Sequence, residues 1–270
     1  MPRFLVVGAT GMTGRHVVKM LLEKDYSVRV IVRREGILEK HDNLEVVKAA
    51  ILDLSDSELD EYTKDCVGVI SCLGHVMSFN GIWGQPRDLV TRAIERLCES
   101  FKRSNGVENN PGSNLNGVSN VRKIILMNTV GVTANEEKRT MFDNCLLSCL
   151  RGTIPPHRDN ENAVSYLQSL DKTSENVESA SKIALEWVVV RPDTLTESET
   201  VSPYEVLPSP VTTVLNGNDI HRINVAHFMV SLALNEGSIW KEWRFKFPVL
   251  MNKNVTSTEE QNGENQRAWE

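Results

Sequence analysis

Three glycines in the spacing Gly8-x-x-Gly11-x-x-Gly14 are the part of the chain best suited to chemistry. They follow the apolar run Phe4–Val7 and lead into a pattern that repeats Val17, Val18, Leu21 and Leu22 on one helical face. A buried parallel strand, a tight turn and a helix N-terminus leave this trace in a sequence. Glycine lets the turn bend sharply and lets backbone approach a pyrophosphate with no Cβ between them. The helix start adds unpaired N–H groups and the positive end of its dipole, both suited to phosphate. The loop predicts dinucleotide binding.

The residue that closes the second strand, about 20 residues past the glycine turn, meets the adenosine ribose in such a site. An acidic side chain there would bind the 2′-hydroxyl of NAD(H) and repel a 2′-phosphate. This chain has Arg33-Arg34 instead. Guanidinium groups grip phosphate through forked, charge-assisted hydrogen bonds, so NADP(H) is expected in preference to NAD(H). Asp53-Leu54 follows the third strand, where the carboxylate either accepts from the adenine amino group or caps a helix. Cys72-Leu73-Gly74 closes the fourth strand, where small residues let backbone come close to the cofactor. His75 comes next, as either a functional or a solvated loop histidine.

The elements that would hold these residues alternate. Apolar, β-branched runs occur at Phe4–Val7, Val28–Val32, Leu44–Val47, Val67–Cys72, Ile124–Met127 and Trp187–Val190. Helical patterns occur at Gly14–Lys24, Asp56–Thr63, Arg87–Arg103, Glu136–Leu150 and Asn160–Leu170. Continuous apolar strands separated by helices imply an α/β fold, a Rossmann-type doubly wound parallel sheet covered on both faces. Its ligand belongs at the carboxyl ends of the strands. Residues 1–250 are expected to form a single nucleotide-binding domain. Residues 104–120, dense in Asn, Gly and Ser, read as a flexible insertion, and 251–270 as a disordered tail. Beyond Arg191-Pro192 the pattern becomes irregular, with a helix near Asn224–Leu234 and a strand near Phe245–Leu250. Residues 191–250 are therefore expected to build a small substrate-binding part.

The net charge of −6 disfavours nucleic acid and anionic membranes as partners, and no apolar run reaches the length of a membrane span. The N-terminus enters the first strand directly, with no secretory signal pattern. Five cysteines without Cys-x-x-Cys spacing argue against a disulfide framework and against a metal site. Cys145 and Cys149, one helical turn apart, read as small buried hydrophobes. These features suggest a cytoplasmic protein with a small-molecule partner, leaving monomer and homodimer open.

Gly8-Ala-Thr-Gly-Met-Thr-Gly14, Arg33, Cys72-Leu-Gly74, Asn128-Thr129 and Val189-Val-Arg-Pro192 together resemble the atypical short-chain dehydrogenase/reductases. The nearest likeness is to the NAD(P)H-binding branch of NmrA-like regulators and biliverdin reductase B-like enzymes, over residues 3–235 without the insertion. The resemblance implies that Gly8, Thr10, Gly11, Met12, Thr13 and Gly14 wrap the pyrophosphate and that Arg33 meets the 2′-phosphate. It also implies that Arg191 and Pro192 sit beside the nicotinamide end, with Thr129 near the reacting centre.

That family usually employs a tyrosine acid with a lysine four residues later. Here Tyr26, Tyr62, Tyr166 and Tyr204 are followed at that distance by Val30, Cys66, Leu170 and Pro208. Pro156 and Asn160 stand where the pair belongs, so tyrosine-assisted alcohol oxidation is not expected. His157 and Asp159 in that segment are the spare acid/base candidates, unless Pro155–Asp159 is only a rigid turn before a helix. Asp193 either pairs with Arg191 or shapes a turn.

Two functions fit. One is an NADPH-dependent oxidoreductase acting on a planar conjugated acceptor, where proximity drives hydride transfer. Met77, Phe79, Ile82 and Trp83 would then line an apolar pocket, or else pack against one another. The other is a non-catalytic cofactor sensor or assembly protein. Later in the chain, His227 reads as a satisfied core histidine. Trp240 and Trp243 are expected to close the C-terminal part onto the sheet, and Leu207–Val211 to form an edge segment or a dimer contact.

Overall fold

The structure is a computed structural model that describes residues 1–75, 83–103, 121–133, 137, 140–174, 184–210, 218–235 and 238–253. Strands β1 (Arg3–Val7), β2 (Ser27–Val32), β3 (Leu44–Lys48), β4 (Cys66–Ser71), β5 (Val121–Met127) and β6 (Ala184–Pro192) form the expected doubly wound core. They are joined by β10 (Val249–Asn252) and β8 (Tyr204–Leu207) in an eight-stranded sheet of order β3-β2-β1-β4-β5-β6-β10-β8. Every described pairing in that sheet is parallel except β10 with β8, which is antiparallel. Strands β7 (Thr194–Thr196) and β9 (Asp219–His221) pair separately.

Alternation along the strands assigns the two faces. Phe4 and Val6 point to one side with Val28, Val30, Ile70 and Val188, and there they meet α1 (Met12–Glu23) and α6 (Arg222–Leu234). Leu5 and Val7 point to the other with Ile31, Val69, Ile124 and Val189. That side is covered by α2 (Asp56–Thr63), α3 (Leu89–Arg103) and α5 (Pro155–Ser174). In α3, Val90, Ile94, Leu97 and Phe101 recur at helical spacing and are all buried, giving the helix one strongly apolar face. Helix α4 (Met141–Thr153) precedes α5, and the short α7 (Ile239–Trp243) buries Trp240 and Trp243 against the α6 side.

Helix α1 ends in a left-handed turn at Asp25, where the amides of Asp25 and Tyr26 donate to the carbonyls of Leu22 and Leu21. These bonds satisfy helix carbonyls that would otherwise lack partners and deliver the chain into β2.

Several expectations need correction. Cys145 and Cys149 are exposed free thiols, because their face of α4 turns away from the sheet. Ile220, Val225 and Phe228 of the C-terminal part pack in the same cluster as Val6, and β10 extends the main sheet. Strand β10 also runs to Asn252, past the tail boundary expected at 250. The segment Leu207–Val211 begins in β8, the edge strand. The 104–120 insertion, Met77, Phe79, Ile82 and residues 254–270 lie outside the described residues.

Candidate functional site

Between β1 and β4 the strand order reverses, so the chain leaves neighbouring strands toward opposite faces and opens a crevice at their carboxyl ends. The glycine loop occupies this point. Gly8 has φ +75°, and a Cβ there would lie 2.5 Å from the carbonyl carbon and oxygen of Cys72. A Cβ on Gly14 would lie 2.2 Å from the Gly8 carbonyl oxygen. The Gly11 amide donates to that same oxygen at 3.0 Å, closing the turn. Gly11 is the N-cap of α1, brings no side-chain cap, and is followed by a first turn without acidic residues. The helix thus presents its leading amides and positive dipole end with no acidic side chain of its own first turn to answer them. Thr10 is half-buried, Met12 exposed and Thr13 buried. This cradle, which side chains would fill, fits a dinucleotide pyrophosphate.

Arg33 and Arg34 follow the end of β2 and are exposed, with no hydrogen bond or ion pair for either among the described residues. Asp53 is exposed and Leu54 half-buried in the turn after β3. The helix-cap alternative for Asp53 is overturned. Ser55 caps α2, accepting from the Glu58 amide while Glu58 accepts from the Ser55 amide at 2.8 Å. The turn is pinned from α3 by Arg96, which donates to the carbonyls of Ile51, at 2.8 Å, and Leu54.

At the end of β4 the Cys72 amide donates to the Val7 carbonyl at 2.9 Å, tying the two strand ends together. Burial pushes the Cys72 thiol up to about 12, so it stays protonated and unreactive. Leu73 is half-buried and Gly74 exposed. His75 is not a solvated loop residue: its side chain is 6% exposed and its Nε2 lies 2.8 Å from Asp159 Oδ2. The same carboxylate accepts from the amides of Val90 at 2.8 Å and Thr91 at 2.9 Å, and from the Thr91 hydroxyl at 2.6 Å. Burial alone would raise the Asp159 carboxyl, but the hydrogen bonds from His75, Thr91 and Val90 outweigh it and hold the carboxyl below its ordinary value. With its acceptor sites occupied, Asp159 serves as the N-terminal cap of α3 rather than as a spare base.

Segment Pro155–Asp159 is the first turn of α5, with Pro155 at the helix start where a missing N–H costs nothing. That turn brings His157 to the strand β5 exit. A Cβ on Gly131 would lie 3.4 Å from the His157 ring and 3.7 Å from Thr129 Oγ1, so imidazole and hydroxyl flank the same glycine. His157 is buried, with Nε2 3.5 Å from Glu161. Asn128 fixes this bend by donating to the Asn160 carbonyl at 3.1 Å and accepting from the Thr129 amide at 2.8 Å.

Arg191 departs from expectation. Its guanidinium is wholly buried and donates to the carbonyls of Val132 (2.8 Å), Phe247 (2.7 and 3.0 Å) and Pro208 (3.5 Å), with Glu137 2.5 Å away. Its donors are taken up by the protein, and Asp193 is not its partner. Asp193 accepts instead from the amides of Thr194 and Asn218, shaping the turn after β6. The Pro192 carbonyl accepts from the Val130 amide at 3.2 Å, which holds the ends of β5 and β6 together.

The tyrosines are engaged elsewhere. Tyr166 donates to Glu99, Tyr204 pairs with His227 Nδ1 at 2.8 Å, Tyr26 packs on Phe4, and the Tyr62 ring faces the Arg29 guanidinium 5.9 Å away. His227 is therefore a satisfied histidine, as expected.

A cavity of about 440 Å³ lies beside the α3 start and the α4–α5 junction, lined by Trp83, Gln85, Arg87, Arg158, Asp159 and Asn162 among others. The larger cavity, about 880 Å³, opens at the amino ends of the strands instead. Volume does not select between them. The glycine cradle and the α1 N-terminus lie at the carboxyl ends, so the candidate site is placed there.

The sequence matches the family described as NAD(P)H-binding over residues 8–110 and 117–236. A Synechocystis sp. protein provisionally named dihydroflavonol 4-reductase is 31% identical over 90 residues, 33% of this chain and 25% of that protein. The chain thus spans about a quarter of that relative. Among solved structures, a wide-type short-chain dehydrogenase/reductase from Veillonella parvula in complex with NADP aligns with TM-score 0.60 and 11% identity, covering 94% of this chain and 95% of the other. The anaerobilin reductase ChuY of Escherichia coli O157:H7 aligns with TM-score 0.59 and 15% identity, covering 94% and 98%. At these identities the structural likeness establishes the fold. No helix among the described residues is long and apolar enough to cross a membrane.

Proposed function

We propose that this chain, which belongs to the NAD(P)H-binding family, is an oxidoreductase of the atypical short-chain dehydrogenase/reductase type that prefers NADP(H) and passes hydride to a small conjugated acceptor. The observation that carries the reading is the side-chain-free cradle of Gly8 and Gly14 at the strand-order reversal, with the exposed guanidinium groups of Arg33 and Arg34 at the end of the adjacent strand. In this reading the loop Gly8, Thr10, Gly11, Met12, Thr13, Gly14 receives the pyrophosphate on the leading amides of α1. Arg33 and Arg34 take the 2′-phosphate, and Asp53 and Leu54 border the adenine. Cys72, Leu73 and Gly74 form the backbone wall opposite, with Pro192 closing the nicotinamide end.

When bound, the reduced nicotinamide supplies a hydride. The chain's own contribution is orientation, exclusion of water and delivery of a proton. Thr129 and His157, flanking Gly131, are the groups we assign to that proton, with His157 as donor and Thr129 as its relay. A planar acceptor such as a quinone, flavin or bilin needs no tyrosine, because the negative charge left by hydride addition is delocalised over its conjugated heteroatoms. The fold shared with an anaerobilin reductase supports this acceptor class.

A second reading, a cofactor sensor of the NmrA-like kind, is favoured by one observation: no tyrosine in the chain has a lysine four residues later. NADPH oxidation measured against a panel of quinones, flavins and biliverdin separates the two. Turnover that falls at least about tenfold in His157→Gln supports the oxidoreductase. Micromolar NADPH binding with no turnover on any acceptor overturns it in favour of the sensor.

A further inference from the structure

Resting on the oxidoreductase reading, we propose that the planar acceptor is an acid, its carboxylate received by Arg87 and Arg158 in the cavity at the α4–α5 junction. The cavity is about 440 Å³. One wall comes from the segment entering α3, with Trp83, Arg87 and Asp88, and the other from the end of α4 and the first turns of α5.

Charge on these walls is one-sided. Arg87 and Arg158 are exposed, and neither is paired with a carboxylate among the described residues. Both acids on the walls are spoken for. Asp159 accepts from His75, Val90 and Thr91, and Asp88 lies 3.9 Å from Arg92. An anion entering the cavity therefore meets two guanidinium groups without displacing a protein carboxylate. Arg87 is also anchored: its Nε and Nη2 donate to the Trp83 carbonyl at 3.2 and 3.1 Å, leaving Nη1 for a ligand. That contact ties the cation to the residue whose indole, 42% exposed, offers a face on which a flat conjugated ring can stack.

The cavity shares a helical turn with the assigned proton donor. Arg158 follows His157 in the first turn of α5, so the two side chains leave the helix about 100° apart. His157 is buried beside Gly131, while Arg158 lines the cavity. An acceptor whose ring meets His157 and Thr129 extends an acidic substituent around this corner to Arg158. The two arginines bind and orient; they take no part in the transfer of hydride or proton.

The test titrates the full chain by calorimetry, in saturating NADP⁺, with anthraquinone-2-carboxylate and with its neutral amide. The probes share a ring system and differ in charge. The carboxylate is expected to bind at least about tenfold tighter, the worth of one charge-assisted hydrogen bond. That advantage disappears in Arg87→Gln/Arg158→Gln, whose altered side chains are exposed and leave the core intact, and it shrinks as salt is raised. Trp83→Leu keeps the carbonyl that anchors Arg87 and weakens both probes alike. Equal binding of the two probes, binding of neither, or an advantage that survives in the double variant would overturn the assignment. Charge-selective binding with no NADPH oxidation on either probe keeps the carboxylate site and removes the oxidoreductase. Oxidation at equal efficiency on both probes, unaltered in the double variant, removes the site and keeps the oxidoreductase.

Discussion

His75 and Asp159 stand 2.8 Å apart, Nε2 to Oδ2, across 84 positions of sequence. The carboxylate between them and the α3 amides joins three elements: the exit of β4, the start of α3 and the first turn of α5. Changes to this one acid should therefore be felt both in stability and in the loop that follows Cys72.

Asp159→Asn keeps the size and removes the charge, turning an amide N–H₂ toward existing donors. We expect a loss of about 2–4 kcal/mol at pH 7, measured by urea unfolding. Because the folded carboxyl lies below its unfolded value, its contribution is complete above the unfolded value and fades as pH falls through the folded one. The gap between wild type and Asp159→Asn should thus be full at neutral pH and narrow below about pH 4. A gap of constant size down to about pH 2 would refute the electrostatic origin.

Gly14→Ala drives a methyl to 2.2 Å from the Gly8 carbonyl oxygen and 2.9 Å from Ala9 Cα, both rigid backbone. It should cost about 2–4 kcal/mol and abolish detectable NADPH binding by calorimetry. Gly152→Ala is the matched control: nothing lies within 4 Å of its new methyl, and α4 should gain up to about 1 kcal/mol.

Arg33→Ala should weaken NADPH binding about 10- to 100-fold, the worth of one or two charge-assisted hydrogen bonds. NADH binding should hardly change, since NADH has no 2′-phosphate. Equal losses for both nucleotides in paired titrations would remove Arg33 from the recognition of that group.

Arg191→Lys looks conservative and should not behave so. A lysine cannot reach the carbonyls of Val132 and Phe247 and the Glu137 carboxylate together, leaving buried acceptors unmet. A drop of about 3–5 kcal/mol is expected by thermal or denaturant unfolding, with the nucleotide Kd little changed in the protein that remains folded.

Local physics explains which parts the sequence revealed. Strand β1, the glycine turn and α1 were legible because their signals are periodic and contiguous: apolar run, glycine spacing, helical stripe. The Ser55-x-x-Glu58 capping box was also there to read, and choosing Asp53 as a cap candidate overlooked it. So was Pro155 as a helix start, which the proline-rich segment disguised as a turn. The Arg191–Glu137 and His75–Asp159 pairs were not legible, because each joins residues far apart in sequence through tertiary folding alone. Strand β8 escaped because Tyr204–Leu207 is short and flanked by prolines, and an edge strand of four residues gives too little alternation to detect. Cys145 and Cys149 misled because their spacing fixes that they share a helical face and says nothing of where that face points.

The bracket around Arg191 limits how the molecule can rearrange. A single planar cation is bonded to chain on both sides of the crevice exit, to the bend after β5 through Val132 and to the approach to β10 through Phe247. Sliding one segment past the other would strand a charge in a dry interior. Any adjustment to an incoming molecule must then come from peripheral turns, while the floor beneath them travels as one rigid plate.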